Sequence, residues 1–239
     1  MLATLRPEAR KIPAPPPPKR HPYDQWAPDA RALDLVGDKW TLLIVRDLAG
    51  GPRRFVELQR VLPGISTEQL RSRLNRMVAD GLLTRQRYRE VPPRVDYELT
   101  ERARDLMPVL GALARWGYEW AWGAPRPGEA IDIGAILRLA PGLLHLSDRS
   151  TGRVEVEVSG KDRTRHYVLD AASGRVSIAE RADPEADAHV TGTDTAWVEA
   201  FGPEANRDGL EISGDGSLAE QLLDGLSAAY ARVSAAQAA

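Results

Sequence analysis

The chain has 239 residues with 32 Lys and Arg against 34 Asp and Glu, a net charge of −2, and no cysteine. That length holds one large domain or two ordinary ones, each able to bury its own core, and the missing thiols exclude disulfide scaffolds, zinc–thiolate sites, iron–sulfur clusters and thiol redox sensing. No apolar stretch approaches the ~20 residues of a membrane helix, and no secretory signal opens the chain, so a cytoplasmic setting with no membrane partner is expected.

The near-neutral total averages two unlike halves. Residues 1–122 carry 21 basic and 15 acidic side chains, or +6, while residues 123–239 carry 11 and 19, or −8. Such asymmetry points to two modules, one of which meets an anion.

Residues 1–22 hold Pro13 and the run Pro15–Pro18 beside Lys11, Lys19 and Arg20. They read as an extended arm, either a plain leader or a basic segment that touches DNA backbone or a partner subunit. From Pro28 a helix is predicted through Ala32, Leu33, Leu35 and Val36, ended by Gly37. A second begins near Asp38, a good helix-start residue, and runs from Trp40 to Leu48. A third carries Phe55, Leu58, Val61 and Leu62 and stops at Pro63-Gly64.

The fourth helix opens with Ser66 and Gln69 at capping-box spacing. Leu70, Leu74, Met77 and Val78 form its apolar stripe, and Gly81 closes it. Two strands, 82–89 and 95–99, flank a proline-bearing loop that cannot continue a ladder and so projects. Thr100 is predicted to cap one long helix with Leu106, Val109, Leu110, Leu113, Trp116, Gly117 and Trp120 on one stripe.

Residues 123–129 read as a linker. Beyond it, strands are predicted at 154–158, 166–169, 176–179 and 188–190, and helices at 131–138, 195–201 and 218–233. The class is α+β. Its expected units are an arm (1–22), a winged helix (23–122) with a three-helix core, a β-wing and a long last helix, the linker, a mixed α+β unit (130–233) and a tail (234–239).

The chemistry of the first half is that of a helix placed in a DNA groove. Gln69, Arg71, Asn75 and Arg76 are able to make bidentate base contacts, and Ser66, Thr67 and Ser72 to bond phosphate. Residues 53–94 contain ten Arg and no Lys against four acids, which supplies sequence-independent affinity. Arg53 and Arg54 belong to this set, and Arg87, Arg89 and Arg94 sit on or beside the wing. The competing reading makes Arg71 and Arg76 solvated surface charges and assigns Gln69 to the capping box.

The run from Trp26-Ala-Pro-Asp-Ala-Arg-Ala-Leu to Leu48 closely resembles the HxlR-type winged-helix regulators of the MarR-like superfamily. So do Gly51-Pro-Arg-Arg-Phe-Val-Glu-Leu-Gln59, Leu62-Pro-Gly-Ile-Ser66, Leu70-Arg-Ser-Arg-Leu74, Asp80-Gly-Leu-Leu83 and Pro92-Pro-Arg-Val-Asp-Tyr-Glu-Leu-Thr100. The resemblance covers about residues 24–122. It implies a homodimeric transcription factor on a pseudo-palindromic double-stranded operator, paired through its first and last helices. Those contribute Leu33 and Val36 together with Leu106, Val109, Leu110, Leu113, Trp116 and Trp120; the alternative is that the last helix packs on the second half. Many members carry a regulatory cysteine where this chain has Ala27, so a thiol switch at that position is excluded.

In the second half, Ala186-Asp-Ala-His-Val-Thr-Gly192, Thr195–Phe201, Gly209-Leu-Glu-Ile-Ser-Gly-Asp215 and Leu218–Leu226 resemble a sterol-carrier-protein-type domain. That resemblance implies a cavity for a hydrophobic or amphipathic small molecule. Trp197, Phe201, Leu210, Ile212, Leu222 and Leu223 would line it, with Tyr167 and His189 as polar options; the alternative is an ordinary core. Four histidines without metal-ligand spacing, and no nucleotide or nucleophile motif, give no support to an enzyme, a metal or a cofactor. The expectation is a dimeric DNA-binding regulator with a C-terminal sensor. A second reading is a small-molecule binding or self-resistance protein whose winged helix mainly dimerises, and a third is a dimeric scaffold without a ligand.

Overall fold

The chain is described by a computed structural model over residues 22–88 and 94–227. The proline-rich arm up to residue 21, Arg89 and the loop to residue 93, and the end of the last predicted helix with the tail lie outside the described residues.

Helix α1 (Pro28–Val36) starts on a proline, which costs nothing where no intrahelical donor is needed, and ends at Gly37. Asp38 then does what its position predicts: its carboxylate accepts from the backbone N–H groups of Trp40 at 2.9 Å and Thr41 at 3.1 Å, and α2 (Thr41–Leu48) follows. Strand β1 (Arg53–Arg54) leads into α3 (Phe55–Val61). Helix α4 (Thr67–Ala79) carries a complete capping box: the Gln69 N–H donates to Ser66 Oγ at 3.1 Å, and the Ser66 N–H donates to Gln69 Oε1 at 3.2 Å. Gly81, at φ +71°, makes the left-handed turn that α4 needs before β2 (Leu83–Tyr88).

Strand β3 (Arg94–Leu99) pairs antiparallel with β2 from Leu83↔Leu99 to Tyr88↔Arg94, and β1 lies on its other edge. The single helix predicted from Thr100 is two. Thr100 caps only α5 (Glu101–Arg104), and α6 (Met107–Trp120) starts afresh with Pro108 in its first turn. Proline has no N–H to donate to the carbonyl four residues earlier, so the ladder is interrupted there. Ile44, Val45, Leu48, Leu58, Leu70, Leu74, Met77 and Leu99 are the heart of the first core.

The second half opens with two short helices, α7 (Ile133–Leu137) and α8 (Ala140–Leu143). Then come β4 (Gly152–Ser159), β5 (Thr164–Ala172), β6 (Arg175–Ala179), β7 (Ala188–Thr193), α9 (Asp194–Phe201), β8 (Glu211–Gly214) and α10 (Gly216–Leu226). The sheet order is β6-β5-β4-β7-β8, parallel between β4 and β7 and antiparallel elsewhere. Val154, Val156 and Val158 alternate inward onto Trp197, Phe201, Leu222 and Leu223. Helix α8 and strand β8 were not predicted: Pro141-Gly142 reads locally as a turn, and β8 offers one apolar residue between glycines.

The halves meet along α6, one face of which packs on α8. A Cβ at Gly111 would lie 1.8 Å from the Gly142 oxygen, and one at Gly142 would lie 1.8 Å from the Met107 oxygen, so the backbones touch. The Tyr118 hydroxyl donates to the Leu226 carbonyl at 2.7 Å, and Trp122 Nε1 donates to the Phe201 carbonyl at 2.9 Å. Burial pushes the Tyr118 phenol well above its usual range, so it stays a donor.

Beside this seam Arg138 is 1% exposed, with its guanidinium 2.9 Å from Asp132, 3.1 Å from Glu180 and 3.7 Å from Asp47. Burial works against its charge, but the carboxylates of Asp132, Asp47 and Glu180 outweigh that and hold its pKa above the ordinary arginine value. Glu180 also pairs with Arg53, and its N–H donates to the Gly50 carbonyl at 3.2 Å.

Alanine ordinarily stabilises a helix over glycine by about 1 kcal/mol. At Gly111 the backbone oxygen of Gly142 reverses the sign. Gly111→Ala is expected to cost about 1–3 kcal/mol, the range for an overpacked site, read as a lower urea midpoint. A raised midpoint would show that the helices do not touch there.

Candidate nucleic-acid interface

Helix α4 is anchored by Leu70, Leu74 and Met77, all buried, and this turns Thr67, Gln69, Arg71, Ser72 and Asn75 into solvent. They are not equally available. Ser66 Oγ and the Gln69 carbonyl oxygen are engaged in the capping box, leaving the Gln69 NH₂ as its free end. Thr67 Oγ1 accepts from Gln59 Nε2 at 2.8 Å, tying α4 to α3. Arg71 reaches Glu68 at 2.9 Å, but with both side chains more than half exposed this is a pair worth under about 1 kcal/mol and easily exchanged. Ser72 and Asn75 have no side-chain hydrogen bond among the described residues.

Arg76 differs from Arg71. Its Nε lies 3.0 Å from Asp80, whose side chain is 1% exposed and whose other carboxylate oxygen has no partner among the described residues. Arg76 is held at the end of α4 by a buried charge, and it is less free for a base than the spacing suggests.

On the wing, β2 from Thr84 to Tyr88 is exposed on both faces. Arg85 and Arg87 share one face and form no ion pair among the described residues. Arg85 was missed by the sequence reading, although its i, i+2 spacing from Arg87 was visible. Arg94 is clamped by Asp96 at 2.6 to 2.9 Å with its guanidinium 5.2 Å from the Tyr88 ring centre. Arg54 is exposed at one corner, 4.0 Å from Asp96. Arg53 is corrected: only 9% exposed and paired with Glu180 of the second half, it is a seam residue and not a nucleic-acid contact. Neighbours in a strand point to opposite faces, so Arg54 faces out and Arg53 faces in. Arg89 lies outside the described residues.

The stripe expected to dimerise divides. Val109, Leu113, Trp116 and Trp120 stand 50% to 68% exposed along one side of α6, with Leu33 of α1 also exposed. Leu106 is half-buried, while Val36 and Leu110 are buried in the first core. The opposite side of α6, with Leu110, Gly111 and Tyr118, is the one that packs inward.

The expected ligand set is core. Trp197, Phe201, Leu222 and Leu223 are at most 2% exposed, and Leu210 and Ile212 pack against them. The Trp197 indole donates to the Glu157 carbonyl at 2.9 Å. Clefts open elsewhere among the described residues, and two of them are lined by none of these six residues. His189 Nδ1 sits 3.2 Å from Glu155, which also holds His166 at 2.9 Å. Tyr167 alone lines a cleft, the smaller one, of about 400 Å³. The larger, about 960 Å³, lies between α6 and α10 and includes Arg115, Trp116, Leu144, His145, Gln221 and Asp224.

The model of the HxlR-like helix-turn-helix family matches residues 35–124. The chain is 42% identical over 93 residues to an uncharacterized HTH-type transcriptional regulator of Synechocystis sp., spanning 39% of this chain and 69% of that protein. It is 43% identical over 96 residues to another from Halalkalibacterium halodurans, spanning 40% of this chain and 85% of that protein. The chain belongs to the HxlR-like helix-turn-helix family. It is a helix-turn-helix transcriptional regulator whose second half, residues 133–225, matches the SCP-2 sterol transfer family. Among solved structures, the oxidized form of the redox regulator HypR is 35% identical over 39% of this chain and 96% of its own, with a TM-score of 0.38. Among the described residues no helix is long and apolar enough to cross a membrane.

Removing one partner of a buried ion pair costs about 3–5 kcal/mol, whereas an exposed pair is worth under about 1 kcal/mol. Arg76→Ala is therefore expected to lower stability by about 3 kcal/mol in urea unfolding, while Arg71→Ala leaves the midpoint within experimental error. Equal losses would contradict the division of structural from available arginines.

Proposed function

We propose that the protein is a homodimeric, sequence-specific DNA-binding regulator in which residues 23–122 read DNA and dimerise and residues 130–233 take an effector. The observation that carries this reading is α4 itself: Asn75, Ser72 and the exchangeable Arg71 project from a buried anchor, beside an exposed strand bearing Arg85 and Arg87. A helix with free bidentate groups fits the major groove, and arginines on an adjacent ribbon suit backbone or minor groove. Family membership supports the same use.

The exposed side of α6 is the favoured dimer face, because four large apolar side chains on one stripe cost free energy in water and fit a second copy by two-fold symmetry. Two reading helices must then address half-sites about one helical turn, ~34 Å, apart on a pseudo-palindromic operator. A hydrophobic or amphipathic effector is better accommodated by the larger cleft than by the sheet interior. Leu143, Leu144 and Leu146 give it an apolar wall and His145, Gln221 and Asp224 a polar rim. Trp116 belongs both to this cleft and to the exposed stripe, so an effector there would bear on the dimer. Action on DNA implies a cytoplasmic protein.

Gel-shift titration against DNA upstream of the protein's own gene tests the reading. Asn75→Ala and Arg71→Ala are expected to weaken the specific complex by about 1–3 kcal/mol each, roughly 5- to 150-fold. Arg85→Ala and Arg87→Ala are expected to weaken binding to all sequences and to lower the salt slope by about one each. No specific complex at moderate salt would end the proposal.

Sedimentation tests the dimer separately. Trp116→Asp and Leu113→Asp are expected to shift the protein to a monomer with unchanged far-UV circular dichroism. A wild-type protein already monomeric at micromolar concentration would refute this interface.

A further inference from the structure

The smaller cleft, about 400 Å³, opens where the two halves meet. Its walls come from Gly50–Arg53 and α3 on one side, and from Asp132, Arg138, the start of β5 and Glu180 on the other. Five arginines line it, at 53, 60, 138, 163 and 165, against three carboxylates, Glu57, Asp132 and Glu180.

Most of these charges are matched. Arg53 pairs with Glu180, Arg138 with Asp132 and Glu180, and Arg165 with Asp132 at 3.0 Å and Asp194 at 2.7 Å. Glu57 accepts from the Arg54 N–H at 2.7 Å. The remaining cations are Arg60, on α3 of the winged helix, and Arg163, just before β5 in the second half. Neither side chain has an ion pair among the described residues.

A second observation points to a ligand. Tyr167 is 2% exposed, yet its hydroxyl forms no hydrogen bond among the described residues. Its oxygen stands beside Gly134, where a Cβ would come within 2.2 Å, and the same Cβ would meet Arg138 Nη2 at 3.0 Å. The ring is buried but the oxygen is not an enclosed, unpartnered atom: it opens on the cleft, within reach of whatever occupies it.

We propose that the cleft binds a small organic anion, a carboxylate or a phosphate ester. Arg60 grips it from the winged helix and Arg163 from the second half, and the Tyr167 hydroxyl donates to it. A cation would meet the two unpaired guanidiniums of Arg60 and Arg163, and an apolar molecule would leave the tyrosine hydroxyl unmatched. Planar guanidinium donors match the oxygens of a carboxylate or phosphate. Because the two free arginines belong to different halves, an occupied cleft ties α3 to β5. Helix α3 is bonded to α4 through Gln59 and Thr67, and β1 to the wing, so occupancy biases the placement of the reading surface. That last coupling rests on the DNA-binding reading; the anion site does not.

Isothermal titration of the full-length, DNA-free protein at low ionic strength tests it, with succinate, inorganic phosphate and the uncharged succinamide as probes. Succinate or phosphate is expected to bind saturably with one site per chain, and succinamide not at all. Which of the two anions binds identifies the chemistry. Arg60→Gln and Arg163→Gln, both exposed and outside the cores, are expected to weaken binding at least tenfold, and Tyr167→Phe several-fold, with thermal unfolding confirming that each variant is folded. No saturable binding by either anion, equal binding of succinamide, or binding that both arginine variants leave intact would overturn the proposal. With no DNA present, a failed operator complex leaves this result standing.

Discussion

Arg138 places a guanidinium at 1% exposure between Asp47 of α2, Asp132 before α7 and Glu180 after β6. A buried charge is tolerated only where several partners replace its water, and here those partners come from both halves of the chain. Asp47, itself fully buried, also accepts from Nε and Nη2 of the neighbouring Arg46 at 3.0 and 3.1 Å. An apolar seam can slide or rotate at little cost. A guanidinium shared among three carboxylates cannot move without leaving charge unpaired in a low dielectric. The network thus does for orientation what the α6–α8 contact does for adhesion, and the junction cleft exists because both hold.

Helix α6 transmits that fixed geometry. Met107, Leu110, Gly111 and Tyr118 recur at helical spacing toward the protein interior, and Val109, Leu113, Trp116 and Trp120 recur at the same spacing toward solvent. One helix therefore carries two apolar faces, the inner one shared between the first core and the second half. The sequence reading left dimerisation and packing on the second half as alternatives. The structure assigns the inner face to packing and leaves the outer one unpartnered among the described residues, so the two uses do not compete.

What could be read from sequence was local. The Ser66–Gln69 box, the Asp38 helix start and the Gly81 helix end depend on residues a few positions apart, and all stand where they were expected. What failed was non-local. Arg53 looked like its neighbour Arg54 until Glu180, 127 positions away, drew it inward. Apolar residues such as Trp197, Phe201 and Leu222 have the same spacing whether they line a pocket or fill a core, and only the closing of sheet on helix decided for core. The break before α6 was legible in Pro108 and was overridden by the longer apolar stripe. Helix α8 has the composition of a turn, and its close packing on α6 is a contact no local pattern shows.

The charge asymmetry has to be discounted in the same way. Of the ten arginines between 53 and 94, those at 53, 71, 73, 76 and 94 pair with Glu180, Glu68, Asp38, Asp80 and Asp96. A formal +6 over that segment therefore overstates the field a phosphate meets. The pairs also differ in kind. Glu68 is 81% exposed and gives up Arg71 at little cost, whereas Asp80 and Asp96 are nearly buried and hold Arg76 and Arg94 in place. Arginine that a sequence count assigns to DNA is divided here between a fixed scaffold and a smaller mobile set. The mobile set, Arg71 on α4 with Arg85 and Arg87 on β2, lies on the surface that Asn75 and Ser72 share. On the proposed DNA-binding reading, affinity that rests on few free cations leaves a larger part of recognition to side chains such as Asn75 and Ser72, which favours sequence discrimination over indiscriminate binding.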